Sequence, residues 1–322
     1  MTPTAMIALC EDPMKPINCL VLPLALLWVG CGPILTKPQV TAVSDFETAT
    51  KKYSALPGSV LRAYEEVHSA DTLFTASSAE TKDAKMSLAV VKRSLLTSDE
   101  LRKKATQLDK AVGVLTTYSE ALTQLVSDDQ LKALDSDAED LGKALDGSIA
   151  EYNNLTHSTE NIHSFGTAAA AAVRGISGIW VREKQAKYLQ RFVEDADPMV
   201  QQLAKDLAEL MQELGSEGPD CVCFSAEKLK LEANFISYFS FRPGFMNHGD
   251  VEAFATWMAK ANAGRELAVA VDASTTKLGK AHTALVAAVK PDGSLKGHLE
   301  ELRSLSEQIK AAQSLQKKVG SD

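Results

Sequence analysis

The stretch LRKKATQLDKAVGVLTTYSEALTQLV, residues 101–126, decides the fold class. Leu101, Ala105, Leu108, Val112, Leu115, Ser119, Leu122 and Val126 are separated by steps that alternate between four and three. That rhythm keeps a single stripe of a helix apolar along its whole length, the pattern of knobs-into-holes packing. Residues 131–155 repeat it with Leu131, Leu134, Ala138, Leu141, Leu145, Ser148, Tyr152 and Leu155. The two segments also open alike, Leu96-Thr97-Ser98-Asp99 against Leu125-Val126-Ser127-Asp128, a hint of duplication. Ser98 reads as an N-cap, and Ser127 with Gln130 as a capping box. Two helices joined by almost no loop should then fold back as an antiparallel pair.

Working outward, the same period recurs nearly everywhere. A short helix is expected near residues 44–55, opened by a Ser44–Glu47 capping box, and Leu56-Pro57-Gly58 breaks it. Residues 57–96 follow with the stripe Val60, Tyr64, Val67 and Phe74, and a kink or loop is open at 76–85. Small residues crowd 165–180, where a neighbouring helix could approach closely. Another helix runs to Gly215, with Asp197-Pro198 as a candidate kink. A short helix over 225–240 and a loop over 241–249 come next. From Asp250 the seam is Trp257, Ala261, Gly264, Ala268, Val271, Thr275, Leu278, His282, Leu285 and Val289. Pro291-Asp292-Gly293 reads as a turn before a last helix carrying Leu295, Leu302, Leu305 and Ile309. Aromatics make up only 6% of the chain, and Pro is rare inside the periodic stretches, which argues against a β-sandwich. The expected fold is all-α: an elongated up-and-down bundle of about seven long amphipathic, partly coiled-coil helices. The bundle would occupy 57–322, with a division into sub-bundles 57–175 and 176–322 left open.

The first 30 residues differ in kind. Met14-Lys15 precedes an apolar run over 17–29, and Gly30-Cys31-Gly32-Pro33 follows. A charged start, a short apolar segment and a small residue before the cut describe a secretory signal. The run is too short for a membrane span, and Pro23 interrupts it. Trp28, Val29, Gly30 and Cys31 resemble the lipobox of bacterial lipoproteins, with Trp28 where Leu is usual and Leu27 one position early. The resemblance covers only the leader. It implies that Cys31 is acylated, that a tether and short helix over 31–56 lead to the bundle, and that the protein faces the periplasm on a lipid anchor. Gly32 in place of Asp implies the outer membrane in a Gram-negative host. Glu11 and Asp12 are unwelcome in a signal, so translation is expected to start at Met14.

Charge and cysteines narrow the function classes. Removing residues 1–30 takes away Glu11, Asp12 and Lys15 from 42 acidic and 34 basic residues, leaving 40 against 33, a balance of −7. An evenly mixed acidic surface argues against nucleic acid as a partner, because phosphate binding needs a clustered positive face. Cys221 and Cys223 form a candidate disulfide whose tiny loop yields little entropic stabilisation. A redox role would need a thiolate beside a base or a helix start, and the helix opening near Ser225 offers the second. The plainer reading is a structural staple or an idle pair.

Four constellations were candidates for chemistry or binding. Glu65-x-x-His68 and Glu160-x-x-His163 share the spacing of ferritin-like di-metal bundles, but both pairs flank the apolar stripes and read as solvated faces. Glu120 and Glu47 are weak further ligands. His282 lies on a packed seam with no partner at suitable spacing, and His157 and His298 read as exposed. Eight of the 19 aromatics fall in 224–257, interleaved with Arg242, Asn247, His248 and Asp250. Aromatics with Arg are the residue types of binding hot spots, so Phe241, Arg242, Phe245 and His248 are the candidate binding residues. The plainer reading is a plug for the open end of the bundle. No cofactor and no catalytic residue is expected. The function expected is a non-enzymatic interaction or structural module that engages an envelope protein. A small-molecule site near the aromatic cap and a di-metal oxidoreductase are the alternatives.

Overall fold

A stripe that is apolar over its full length has to be covered over its full length, and that requirement sets the arrangement of the helices. The computed structural model describes residues 35–77, 84–127, 142–147, 149–150, 182–240, 247–290 and 293–320. Among these the chain has seven long helices and no strand: α1 Lys37–Ser54, α2 Leu56–Ser77, α3 Ala84–Val126, α4 Arg182–Gly215, α5 Phe224–Ser240, α6 His248–Ala288 and α7 Leu295–Val319. Residues 142–147 and 149–150 are helical as well, and Leu145 and Ile149 join the core. The rest of the second repeat and the small-residue stretch 165–180 lie outside the described residues.

The heptad stripe of 101–126 is the buried face of α3. From Ala105 to Val126 each of its residues is at most 5% exposed. Each fully buried leucine there stabilises the bundle by about 1.5–3 kcal/mol before the entropy of ordering the chain is subtracted. The seam of α6 is buried from Ala261 to Val289, with Trp257 half-buried at its start. One continuous cluster of apolar side chains joins residues from all seven helices.

Cross-helix contacts fix the directions. Asp197 meets His282 and Gln201 meets the Gly279 carbonyl, so α4 and α6 are antiparallel. Tyr53 with Thr275 and Gln39 with the Ala288 carbonyl set α1 antiparallel to α6. The Ala281 carbonyl with His298 and Lys277 with Glu301 do the same for α6 and α7. A turn at Ala55 separates α1 from α2, and both lie along α3. Lys51 meets Glu120 near the C-terminal end of α3, while Glu65 meets Arg102 in its N-terminal half. Together α1 and α2 make one broken arm antiparallel to α3. The central helix is α6, which packs on α1, α2, α4, α5 and α7.

Several helix boundaries differ from the sequence reading. Ser98 is not a cap: it is buried inside α3, which begins at Ala84. Ser44 and Glu47 lie inside α1, whose capping box is Thr36 with Gln39. The Glu47 carboxylate instead takes Lys51 at 2.8 Å and the Thr123 hydroxyl at 2.7 Å. A cap motif is a local signal, and a helix whose apolar face is covered continues through it. Pro198 does not split α4. Residues 37–54 do not form a loose tether either, because Val43, Phe46 and Tyr53 are fully buried.

Candidate functional site

The packed seams contain polar groups, and several of them are matched by partners on other helices. His282 of α6 is fully buried between Tyr118 of α3 and Asp197 of α4. Its Nδ1 lies 2.8 Å from Asp197 Oδ1 and its Nε2 lies 2.7 Å from the Tyr118 hydroxyl. A carboxylate only accepts, so Nδ1–H donates to it and the Tyr118 O–H donates to Nε2. Burial pushes the His282 pKa below its ordinary value, against the pull of Asp197. The hydrogen bond from His282 holds Asp197 below the usual carboxylate range. Burial raises Tyr118 well above its ordinary value. The imidazole is therefore neutral with both nitrogens used, and the arrangement acts as a strut across three helices. The sequence reading found no partner for His282 because its partners come from separate helices. His298, read as exposed, is also a correction: it is fully buried, with Nδ1 3.2 Å from the Ala281 carbonyl.

A second polar cluster joins α2 to α5. Glu227 is 1% exposed and accepts from three donors: the Tyr64 hydroxyl at 3.2 Å, His68 Nδ1 at 3.0 Å and Lys230 Nζ at 2.8 Å. Burial opposes ionisation of Glu227, but His68 and Lys230 overcome it and keep its carboxyl below the ordinary range. Glu227 in turn raises His68. One turn on, Asn234 donates to Asp71 at 2.6 Å, whose pKa is raised by burial. Sequence reasoning missed Glu227 and Asp71. The signal was present, since both interrupt apolar stripes at core spacing: Asp71 between Val67 and Phe74, Glu227 between Phe224 and Leu231.

The described members of the candidate metal set are engaged by other partners. Glu65 is buried, not solvated, and pairs with Arg102 at 3.0 Å. His68 is engaged by Glu227, and Glu47 and Glu120 share Lys51. Among the described residues no group of three or more potential ligands could hold a metal ion. Glu160, His163 and His157 lie outside those residues.

Aromatic side chains converge where the end of α2, the end of α5 and the start of α6 meet. Phe74 packs edge-on to Phe235 at 5.7 Å and to Tyr238 at 6.0 Å, and Phe235 stacks on Phe254 at 3.9 Å. These rings plug the bundle end. Contact pairs set the register at this end. Glu65 opposite Arg102 brings Leu73 level with Leu95 and Leu96, and Phe235 opposite Phe254 places Val251 beside the end of α5. Of the nine exposed large hydrophobic side chains among the described residues, Ile236 and Val251 lie at this end on α5 and α6, while Leu73, Leu95 and Leu96 lie at the same level on α2 and α3. His248 opens α6, exposed, 3.7 Å from Glu252. Phe241, Arg242 and Phe245 lie outside the described residues, as does Cys31.

Two clefts lie elsewhere. One of about 310 Å³ separates α1 from α7, lined by Lys52, Leu299 and Arg303. An open groove of about 690 Å³ borders α4, α6 and α7 near Lys205 and Lys280. Neither touches the aromatic end. Cys221 and Cys223, in the loop between α4 and α5, are joined by a disulfide. No protein-family model, curated protein or solved structure matches the chain.

Proposed function

We propose that the chain is a lipid-anchored protein of the bacterial envelope that works by binding another envelope protein through the aromatic end of its bundle. The observation that carries this reading is the exposure of Ile236 and Val251 on the two helices whose rings pack edge-on and stacked at that end, with Leu73, Leu95 and Leu96 exposed at the same level of the bundle. Scattered single apolar residues are ordinary on a protein surface, whereas a contiguous group rimmed by polar residues marks an interaction site. The polar groups of the interior support a non-enzymatic role, because His282, Tyr118 and Glu227 spend their hydrogen bonds inside the fold. The disulfide fits an oxidising compartment, and Gly30-Cys31 fits acylation.

The test is a photo-crosslinker placed at Ile236 in the protein's own cells. A discrete adduct with one envelope protein is expected. It should disappear when Leu73 and Val251 are changed to Glu, with helicity by circular dichroism unchanged. An adduct pattern equal to that from Lys187, an exposed residue on α4, would remove the reading.

A further inference from the structure

The loop 216–223 carries a disulfide that the packing of the bundle does not require. A crosslink between residues two apart removes little entropy from the unfolded chain. The loop is already fastened from α6, where Arg265 pairs with Glu217 and lies 3.3 Å from the Gly215 carbonyl. The two sulfurs differ in surroundings. Cys223 is fully buried immediately before α5, and its Sγ accepts the Ala226 N–H at 3.4 Å. The Glu227 N–H donates to the Cys223 carbonyl at 3.2 Å, so the residue caps the helix. Cys221 is only half-buried, and Val222 between them is 59% exposed.

We propose that Cys221–Cys223 is a thiol–disulfide exchange site for a protein dithiol, with Cys221 as the attacked sulfur and Cys223 as the leaving group. Exchange runs through a mixed disulfide, and its rate depends on which sulfur can be reached and on how well the other carries negative charge. A thiolate of the partner attacks Cys221 Sγ. The Cys221–Cys223 bond breaks, and its electron pair goes to Cys223 Sγ, where the Ala226 N–H donates to the thiolate. The partner's second thiolate then attacks its own sulfur in the mixed disulfide and expels Cys221, which takes a proton from water. The partner leaves oxidised by two electrons, and the chain holds two reduced cysteines. A second exchange with a low-molecular-weight disulfide restores the bond. The exposed Val222 gives the partner an apolar foothold between the sulfurs.

The experiment uses the full-length protein with oxidised glutathione, and peptide mapping locates the adducts. In Cys223→Ser, glutathione should be trapped on Cys221. In Cys221→Ser, Cys223 should react at least about tenfold more slowly. The oxidised wild-type protein should form disulfides in reduced, unfolded ribonuclease A, and the double Cys→Ser variant should not. Acid quenching of the reduced wild-type chain during reoxidation gives the same comparison without any substitution, with the mixed disulfide expected on Cys221. Equal reaction at both sulfurs, no adduct at either, or no oxidation of ribonuclease would each overturn the proposal.

Discussion

At the scale of single residues, the sequence shows where polar groups enter the core but not what they meet there. His282 stands on its seam in the bare sequence, yet Tyr118 and Asp197 are reached only when three helices take their register. Glu227 is the most informative case, because its carboxylate ties α5 to α2 through His68 and Tyr64. Its pH dependence follows from the directions of the two shifts. A carboxyl held below its ordinary value contributes stability above about pH 4.3, lost as pH falls through the lowered value. A histidine held above its ordinary value contributes fully below about pH 6.5, and that contribution fades as pH rises through the raised value. Glu227→Gln should therefore cost about 1–3 kcal/mol near pH 5–6. The cost should shrink toward acid, as the wild-type carboxyl protonates, and partly toward alkali, where Lys230 and Tyr64 still hold it. Urea unfolding of both proteins at pH 3.5, about 5.5 and about 9 gives the comparison, and a cost independent of pH would contradict the assignment.

At the scale of elements, the seams were legible and the ends were not. The four-three rhythm of α3 and the ten-residue seam of α6 are written in side chains that must be buried, so periodicity finds them. Helix ends are decided by competition between a local cap and continued packing, and at Ser98 and Ser44 packing prevailed. The α5–α6 contact was partly legible: Gly264 lies on the α6 seam where every other residue contributes a larger side chain, and the structure shows why. A Cβ there would run into the ring of Phe224, which is 1% exposed and edge-on to Tyr64 at 5.5 Å. Gly264→Ala should destabilise by about 1–3 kcal/mol, because overpacking outweighs the gain in helix propensity. Gly113 of α3 has open space where its Cβ would be, so Gly113→Ala should stabilise by about 0.5–1 kcal/mol. Thermal unfolding followed by circular dichroism reads both, and an upward shift for Gly264→Ala would show that Phe224 yields to the new methyl group.

At the scale of the whole molecule, the fold and the proposed location rest on separate parts of the chain. The bundle is specified by the described helices between 37 and 319, while the envelope assignment rests on the leader and on the oxidised loop. No helix among the described residues is long and apolar enough to cross a membrane. Under the proposed reading, attachment therefore depends on the acyl chains at Cys31. A single acyl chain holds a protein only marginally, whereas two or more give stable anchoring, so the mature protein should behave as an integral one despite its polar surface. Full-length protein expressed in its own cells should stay with the membrane pellet after washing with alkaline carbonate and be extracted by detergent. Its N-terminal peptide should begin at Cys31 and carry the mass of the acyl chains. Cys31→Ser should leave the pellet under the same wash, with the disulfide at Cys221 and Cys223 intact if the chain is still exported. Wild-type protein that washes off, or an N-terminal peptide lacking acyl mass, would separate the bundle from the membrane and leave the apolar end to a soluble partner.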